Sequence, residues 1–325
     1  MLLAVLCFTA GTWFGYQGQI TAFMVCYIGV IWFTPFRITR PVIALKALLT
    51  ILLTVLCTNY RLTVHTGDQR ILTVRFLDVG QGDSTLLELP DGTVALIDTG
   101  TSDSSANIIQ TLRSEGIHTI DLLIGTHPHT DHIGGMPAVL DAFQVKTYIQ
   151  PNTGAFQPET NNLMNYLSRK LQESHIAVQT VSAGTVLYDH NTCKLEVLAP
   201  VAGFTFDDLN DYSIILKLMY GDTAILFMAD AGYQEENAIL DQNLDCNVLK
   251  VGHHGSFGSS GSAFLKQADP HYAVISVGSE NDHHLPNEYV LEKLGTEGII
   301  VYRTDEDGTI TVTSDGTRIS ITTEK

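Results

Sequence analysis

The sequence predicts an α/β domain in which two sheets pack face to face beneath outer helices, preceded by a strongly apolar leading segment. Strand patterns come in two runs, each flanked by helical patterns, and such runs are buried most simply as two sheets covered on the outside by helices. A dense histidine–aspartate cluster, Thr126-His127-Pro128-His129-Thr130-Asp131-His132-Ile133-Gly134-Gly135, follows one apolar strand. All 35 acidic residues of the 325-residue chain lie after position 67, so the leading segment and the remainder differ in kind.

The leading segment holds two apolar blocks, Met1–Phe36 and Pro41–Thr58. One membrane crossing needs about 20 residues, so two or three transmembrane helices are expected within residues 1–60, followed by a linker over 61–69. No basic stretch precedes Leu2-Leu3-Ala4-Val5, which argues against a signal peptide. Arg37, Arg40 and Lys46 would stay on the cytoplasmic side. That orientation predicts a cell-membrane protein whose remaining domain, residues 70–325, is extracytoplasmic.

In that domain Ile71–Leu77 alternates like a strand and runs into Asp78-Val79-Gly80-Gln81-Gly82-Asp83-Ser84, a glycine-bearing polar loop. Two further strands, Ser84–Leu89 and Thr93–Ile97, flank the turn Pro90-Asp91-Gly92 and end at Asp98. Ser105–Ser114 reads as a helix, Leu122–Gly125 as the strand that delivers the histidine loop, and Gly135–Ala142 as the next helix. The stretch from Pro151 to Ala199 is less regular, with a helix over Leu163–Ser174. The second run places a hairpin at Ser213–Met228, a helix at Gln234–Leu240 and a strand at Asn247–Val251, which leads into Gly252-His253-His254-Gly255-Ser256. Beyond it come a short helix at Ser262–Lys266, a strand at Tyr272–Val277, a helix at Asn287–Leu294 and a strand-rich tail.

The chemistry is that of a metal site. On an extended segment His127 and His129 point the same way and can grip one cation, while Asp131 and His132 follow on the bend and face a second. Imidazole and carboxylate donors suit zinc-like cations. Two cations about 3.5–4 Å apart need a bridging group; Asp230, the first acid after an apolar strand, is placed for that role. His253 and His254 are the best later imidazoles. His284 is expected to touch substrate or to support the ligands, and Asp78, Asp83 and Asp98 to orient metal-binding imidazoles. Five cysteines are too few for a disulfide framework, although Cys193 and Cys246 could pair. The sequence carries no Ser/His/Asp triad signal and no phosphate-cradling glycine loop of the P-loop kind, so nucleophilic catalysis by a side chain is not indicated. The formal net charge of −17 would repel a polyanion unless cations offset it.

These residues resemble the metallo-β-lactamase superfamily. His127-x-His129-x-Asp131-His132 is similar to its H-x-H-x-D-H motif, Asp98 to its early aspartate, Asp230 to its bridging aspartate and His253 to its last histidine. The resemblance implies a four-layer αββα sandwich with two divalent cations, zinc or manganese. In it His127, His129 and an oxygen donor hold one ion, Asp131, His132 and His253 the other, and Asp230 bridges. Phe76-Leu77-Asp78-Val79-Gly80-Gln81-Gly82-Asp83-Ser84, Leu249-Lys250-Val251-Gly252-His253-His254-Gly255-Ser256 and Arg303-Thr304-Asp305 also resemble ComEC/Rec2-type competence proteins. That implies a metal-dependent nuclease acting on DNA during DNA uptake, with other uptake proteins as partners. By this pattern His254 lies beside the ligand and, like His284, could steady the transition state or protonate the leaving oxygen, with Asp131 also catalytic. The superfamily's middle histidine ligand, expected between His132 and Asp230, has no counterpart, and an oxygen of Asn210 or Asp211 could replace it. Rival readings are a phosphodiesterase or esterase for small or envelope substrates such as choline-phosphate esters, and a non-catalytic metal-binding component of an uptake complex.

Overall fold

The computed structural model describes residues 71–153, 162–279 and 281–325. The chain divides into two units, Met1–Gln69 and Arg70–Lys325, and the description concerns the second. The apolar blocks expected to form transmembrane helices lie outside the described residues. Among the described residues no helix is long and apolar enough to cross a membrane. The expected membrane-anchored, extracytoplasmic placement, with the membrane as a partner, is corrected accordingly: nothing in the described domain supplies a span.

Strands β1 (Leu72–Phe76), β2 (Thr85–Glu88), β3 (Val94–Ile97), β4 (Thr119–Ile124), β5 (Gln144–Pro151) and β6 (Ala177–Val181) open the domain. The chain then crosses to β7 (Val186–His190), β8 (Cys193–Ala199), β9 (Ile215–Tyr220), β10 (Thr223–Phe227), β11 (Val248–Lys250), β12 (Tyr272–Ile275) and β13 (Ile300–Arg303). It returns with β14 (Ile310–Ser314) and β15 (Ile319–Thr323). Among the described residues these form one sheet in the order β15-β14-β1-β2-β3-β4-β5-β6 and a second in the order β13-β12-β11-β10-β9-β8-β7. Helices α1 (Ser105–Ser114), α2 (Thr130–Ile133), α3 (Met136–Ala142) and α4 (Asn162–Glu173) belong to the first half, and α5 (Tyr233–Ala238), α6 (Ser262–Ala268) and α7 (Glu288–Thr296) to the second.

Side chains sort by the period of two that a strand imposes. Leu87, Ala95, Ile97, Ile225, Phe227 and Val248 enter the core between the sheets, where Phe76 and Phe227 lie 6.0 Å apart. Their neighbours Leu86 and Leu96 point the other way, onto Ile108, Leu112, Val139 and Leu167 of the first helical layer. Leu226 and Leu249 likewise meet Phe264, Val290 and Leu294 of the second. Strands buried on both faces read as continuous apolar runs rather than alternating ones, as in Ala95-Leu96-Ile97. The four-layer sandwich predicted from the sequence is therefore present.

Several local expectations differ. Gln144–Pro151 forms a strand the sequence pattern does not announce. Cys193 and Cys246 are free, because they sit in cores on opposite faces of the second sheet.

The pairs β3/β4 and β10/β11 are parallel, so both sheets deliver strand C-termini to the same edge, the usual place for a site in such sheets. Asp98, the histidine loop, Asp230 and the His253–His254 loop all leave the strands there. The loop between β1 and β2 packs into this edge: the Asp83 N–H donates to the Asp131 carbonyl at 3.1 Å. Gly82 has φ +138°, and a Cβ on it would meet the Asp131 carbonyl oxygen at 2.4 Å. Gly82→Ala is expected to lose about 1–3 kcal/mol of stability through this overlap and the backbone strain. Denaturant unfolding measures it, and an unchanged midpoint would show that the loop yields freely.

Candidate metal centre

Four non-glycine residues around this edge adopt the left-handed conformation: Asp98 (φ 58°), Ala229 (φ 48°), His253 (φ 48°) and His254 (φ 53°). Each costs about 1–3 kcal/mol and persists where its surroundings over-determine it. The Asp98 N–H donates to the Ile124 carbonyl and the His253 N–H to the Ala229 carbonyl, at 2.9 and 2.8 Å. The Ile214 N–H donates to the Thr126 carbonyl at 3.0 Å, tying the two sheets together beside the histidines.

Asp230, almost fully buried, lies at the centre. Its Oδ1 is 3.2 Å from His132 Nε2 and 3.5 Å from His254 Nε2. Its Oδ2 is 3.9 Å from His127 Nε2 and 3.8 Å from His253 Nε2. Asp131 Oδ2 is 3.3 Å from His254 Nε2 and 3.8 Å from His132 Nε2, and His129 Nδ1 is 3.0 Å from His127 Nε2. The residues are thus arrayed around one carboxylate, with a different pair of imidazoles on each oxygen.

The outer nitrogens of these rings are held. His132 Nδ1 lies 2.7 Å from Asp98 Oδ2, and Asp98 also accepts from the Thr126 N–H and hydroxyl. His254 Nδ1 lies 2.8 Å from the Ser276 carbonyl. A carbonyl only accepts, so Nδ1 of His254 carries a proton, which leaves Nε2 as the nitrogen that faces Asp131 and Asp230. Such orientation of an imidazole is how metal ligands are fixed. Behind Ser276, the buried Thr304 hydroxyl donates to the Val277 carbonyl and accepts from its N–H, which gives the Arg303-Thr304-Asp305 stretch a structural role. The fully buried Lys250 pairs with Asp83 at 2.7 Å, and Asp83 Oδ1 lies 3.5 Å from His254 Nδ1. Glu236 on α5 accepts from the N–H groups of Ser260 and Gly261 and anchors the far end of the His253–His254 loop. Burial pushes its carboxyl up to about 7, against those two N–H groups and Lys293.

Charge coupling is strong throughout. Burial, together with the neighbouring His132 and His129 rings, holds His127 well below the ordinary imidazole value. Burial works the same way on His132, but Asp230 and Asp98 outweigh it and raise that ring well above the ordinary value. For Asp230 burial is overcome by His132, His254 and His127, which keep the carboxyl ionised; Asp131 is lowered too, through His254 and His132.

The arrangement fits a cation. His132 Nε2 and Asp230 Oδ1 are buried, face each other at 3.2 Å and make no well-formed hydrogen bond, so part of the cost of an unpaired buried group remains. A cation among them would remove that cost. Asp131, His132, Asp230 and His254 form one group whose ligand atoms lie within 4.8 Å of one another, and Asp83, Asp98 and His132 form another. Imidazole and carboxylate donors suit zinc-like divalent cations. The domain therefore has the capacity for one or two of them.

Other expected residues fall elsewhere. Asp78 accepts from the Gly80 N–H and pairs with Lys325, on the surface. His284 is exposed on a loop, its N–H donating to the Asn281 carbonyl. Asp211 turns its Oδ1 to the Gly232 N–H at 3.0 Å, and Asn210 Oδ1 is buried without a partner. Thr126, Lys250, Ser213 and the Ser276 carbonyl support the centre without having been singled out. Of these only Lys250, an isolated charge in an apolar run, carried a signal in the sequence.

Residues 77–190 match the metallo-beta-lactamase superfamily. With the fold and the donor cluster, this makes the domain a metallo-β-lactamase-superfamily, metal-dependent hydrolase. Within that superfamily the chain is homologous to competence proteins. It is 33% identical over 257 residues to ComE operon protein 3 of Bacillus subtilis (strain 168), covering 73% of this chain and 32% of that protein. It is 31% identical over 239 residues to competence protein ComA of Neisseria gonorrhoeae, covering 72% of this chain and 31% of that protein. Recombination protein 2 of Haemophilus influenzae is 29% identical over 242 residues, covering 73% and 28% respectively. The matched region thus spans about a third of each relative's length.

Asp98→Asn is expected to weaken binding of Mn²⁺ about 10–100-fold, because the carboxylate that fixes His132 is lost. A Mn²⁺ binding isotherm tests this; wild-type affinity in the variant would assign Asp98 to folding alone.

Proposed function

We propose that the domain hydrolyses phosphodiester bonds in DNA, using two divalent cations, zinc or manganese, held around Asp230. The observation that carries this is the homology to proteins named for competence and recombination, joined to a buried centre whose donors all suit divalent cations. Asp131, His132, His254 and Asp230 Oδ1 would hold one ion, and His127 and His129 would lie on the Asp230 Oδ2 side. Bound there, the cations would supply an acidified water and neutralise charge on the phosphate oxygens.

The chain's own residues supply position and proton handling. Asp131 is ionised and its side chain 30% exposed, so it is placed to accept a proton from an attacking water. The hydrogen bond of His254 Nδ1 to the Ser276 carbonyl holds the ring with Nε2 facing the cluster, where it would serve as a ligand to a bound cation. His284 is exposed on its loop, its N–H turned to the Asn281 carbonyl, and takes no catalytic part. Because the formal charge of the chain is −17, long-range attraction of DNA is not available, and cations at the centre would supply the local positive field.

The choline-ester reading finds no free cage at the Tyr233–Tyr289 cluster. Lys293 Nζ already lies 4.8 Å from the Tyr289 ring and 5.7 Å from the Tyr233 ring, where a quaternary ammonium would sit. The non-catalytic reading is disfavoured because His127, His129, Asp131, His132, Asp230 and His253 are all present.

The test is cleavage of labelled single-stranded DNA by the chain with Mn²⁺ or Zn²⁺, beside Asp131→Ala. Cleavage by the parent and a loss of at least about 100-fold in the variant are expected. Intact DNA alongside hydrolysis of bis-nitrophenyl phosphate would keep the hydrolase and discard DNA as its substrate.

A further inference from the structure

The sequence leaves a gap in the donor set: no histidine between His132 and Asp230 has the context of a ligand. In the structure His175 and His190 are exposed, and His190 faces Asp91 at 3.7 Å. The gap is on the side of His127 and His129, where Asp230 Oδ2 points.

We propose that His253 fills this gap, so that the adjacent imidazoles of His253 and His254 divide between the two cation positions on either side of Asp230. His254 Nε2 approaches Oδ1 at 3.5 Å and His253 Nε2 approaches Oδ2 at 3.8 Å. His132 accompanies the first oxygen at 3.2 Å and His127 the second at 3.9 Å. Each oxygen therefore faces one imidazole from the histidine loop and one from the His253–His254 loop. The second position would comprise His127, His129, His253 and Asp230; the first would comprise Asp131, His132, His254 and Asp230.

The backbone accounts for how two neighbouring residues reach opposite oxygens. Both are left-handed, His253 at φ 48°, ψ 48° and His254 at φ 53°, ψ 25°. In a strand, successive side chains would leave on opposite faces of the sheet. The left-handed turn instead keeps the rings on one side, with centroids 6.2 Å apart and planes at 71°, far enough apart to flank a carboxylate. The conformation is unfavourable for L residues, and the loop holds it at four points. These are the His253 N–H to the Ala229 carbonyl, the Ser256 N–H to the His253 carbonyl, His254 Nδ1 to the Ser276 carbonyl, and the Ser259 hydroxyl to the Gly252 carbonyl. The rings also differ in access: His254 is buried, whereas the His253 side chain is 34% exposed. The position that His253 completes is therefore the more open one.

The assignment rests on the cluster being a metal centre and is independent of DNA as substrate, so its test reads metal directly. The chain is stripped with EDTA and equilibrated with Mn²⁺, and bound manganese per chain and the electron paramagnetic resonance spectrum are recorded. Two Mn²⁺ with an exchange-coupled spectrum are expected for the parent and for the surface control His118→Ala. His253→Ala is expected to keep one Mn²⁺ with the six-line spectrum of an isolated ion, and His253→Gln to weaken one of the two sites at least about tenfold. Circular dichroism of the metal-free variants confirms that they fold, and the glutamine variant carries the test if alanine does not. Two tightly bound, coupled ions in both His253 variants would overturn the assignment. So would a parent that holds a single ion, or loss of one ion from Asn210→Ala while His253→Ala keeps both. Failure of the chain to cut DNA would leave these readings untouched.

Discussion

The buried carboxylate of Asp230 is the constraint on which the rest depends. A charged group so far from water is tolerable only when it is partnered, and here the imidazoles of His132, His254, His127 and His253 face it from two loops. The loops come from different sheets. The sandwich must close accurately enough to bring the end of β4 against the ends of β10 and β11, and the hydrogen bond from Ile214 to Thr126 marks where it does. The hydrophobic core between the sheets thus sets the distances of the centre as well as the stability of the fold.

Around that carboxylate the supports form a second tier, and each acts through a ligand. Asp98 fixes His132; the Ser276 carbonyl fixes His254 and is steadied in turn by Thr304; the Gly82–Asp83 loop presses on Asp131. Lys250 balances Asp83 beneath His254. A buried ion pair of this sort adds little net stability, but losing one partner would leave a charge unpaired next to a ligand. The sequence stretches that look like loop decoration, Gly-Gln-Gly-Asp-Ser and Arg-Thr-Asp, are therefore parts of the centre's frame.

Much of this was legible in the sequence because strand and helix periods are local. The alternation in Leu72–Phe76, the doubly buried run Ala95-Leu96-Ile97 and the helix Ser105–Ser114 announce themselves, and so does a cluster of three histidines and an aspartate. The strand Gln144–Pro151 does not: it carries Lys146 and ends in a proline, so its apolar face is broken. Nor does the sequence say where His253 and His254 point, because adjacent residues take their directions from backbone angles that only the closed loop enforces. Spacing alone also could not separate Asp98, which reaches an imidazole, from Asp78, which faces Lys325 at the surface. The transmembrane expectation rested on composition in residues outside the described domain, and no described helix supplies such a span.

The central claim, that this unsatisfied buried cluster is a metal centre to which the fold is matched, is tested most directly by thermal unfolding of the chain with EDTA and with added Mn²⁺ or Zn²⁺. A cation bound by the native state alone stabilises by about 2.7 kcal/mol at a hundredfold excess over its dissociation constant. The account predicts a melting temperature that falls in EDTA and rises with cation concentration. A melting temperature indifferent to both would contradict it.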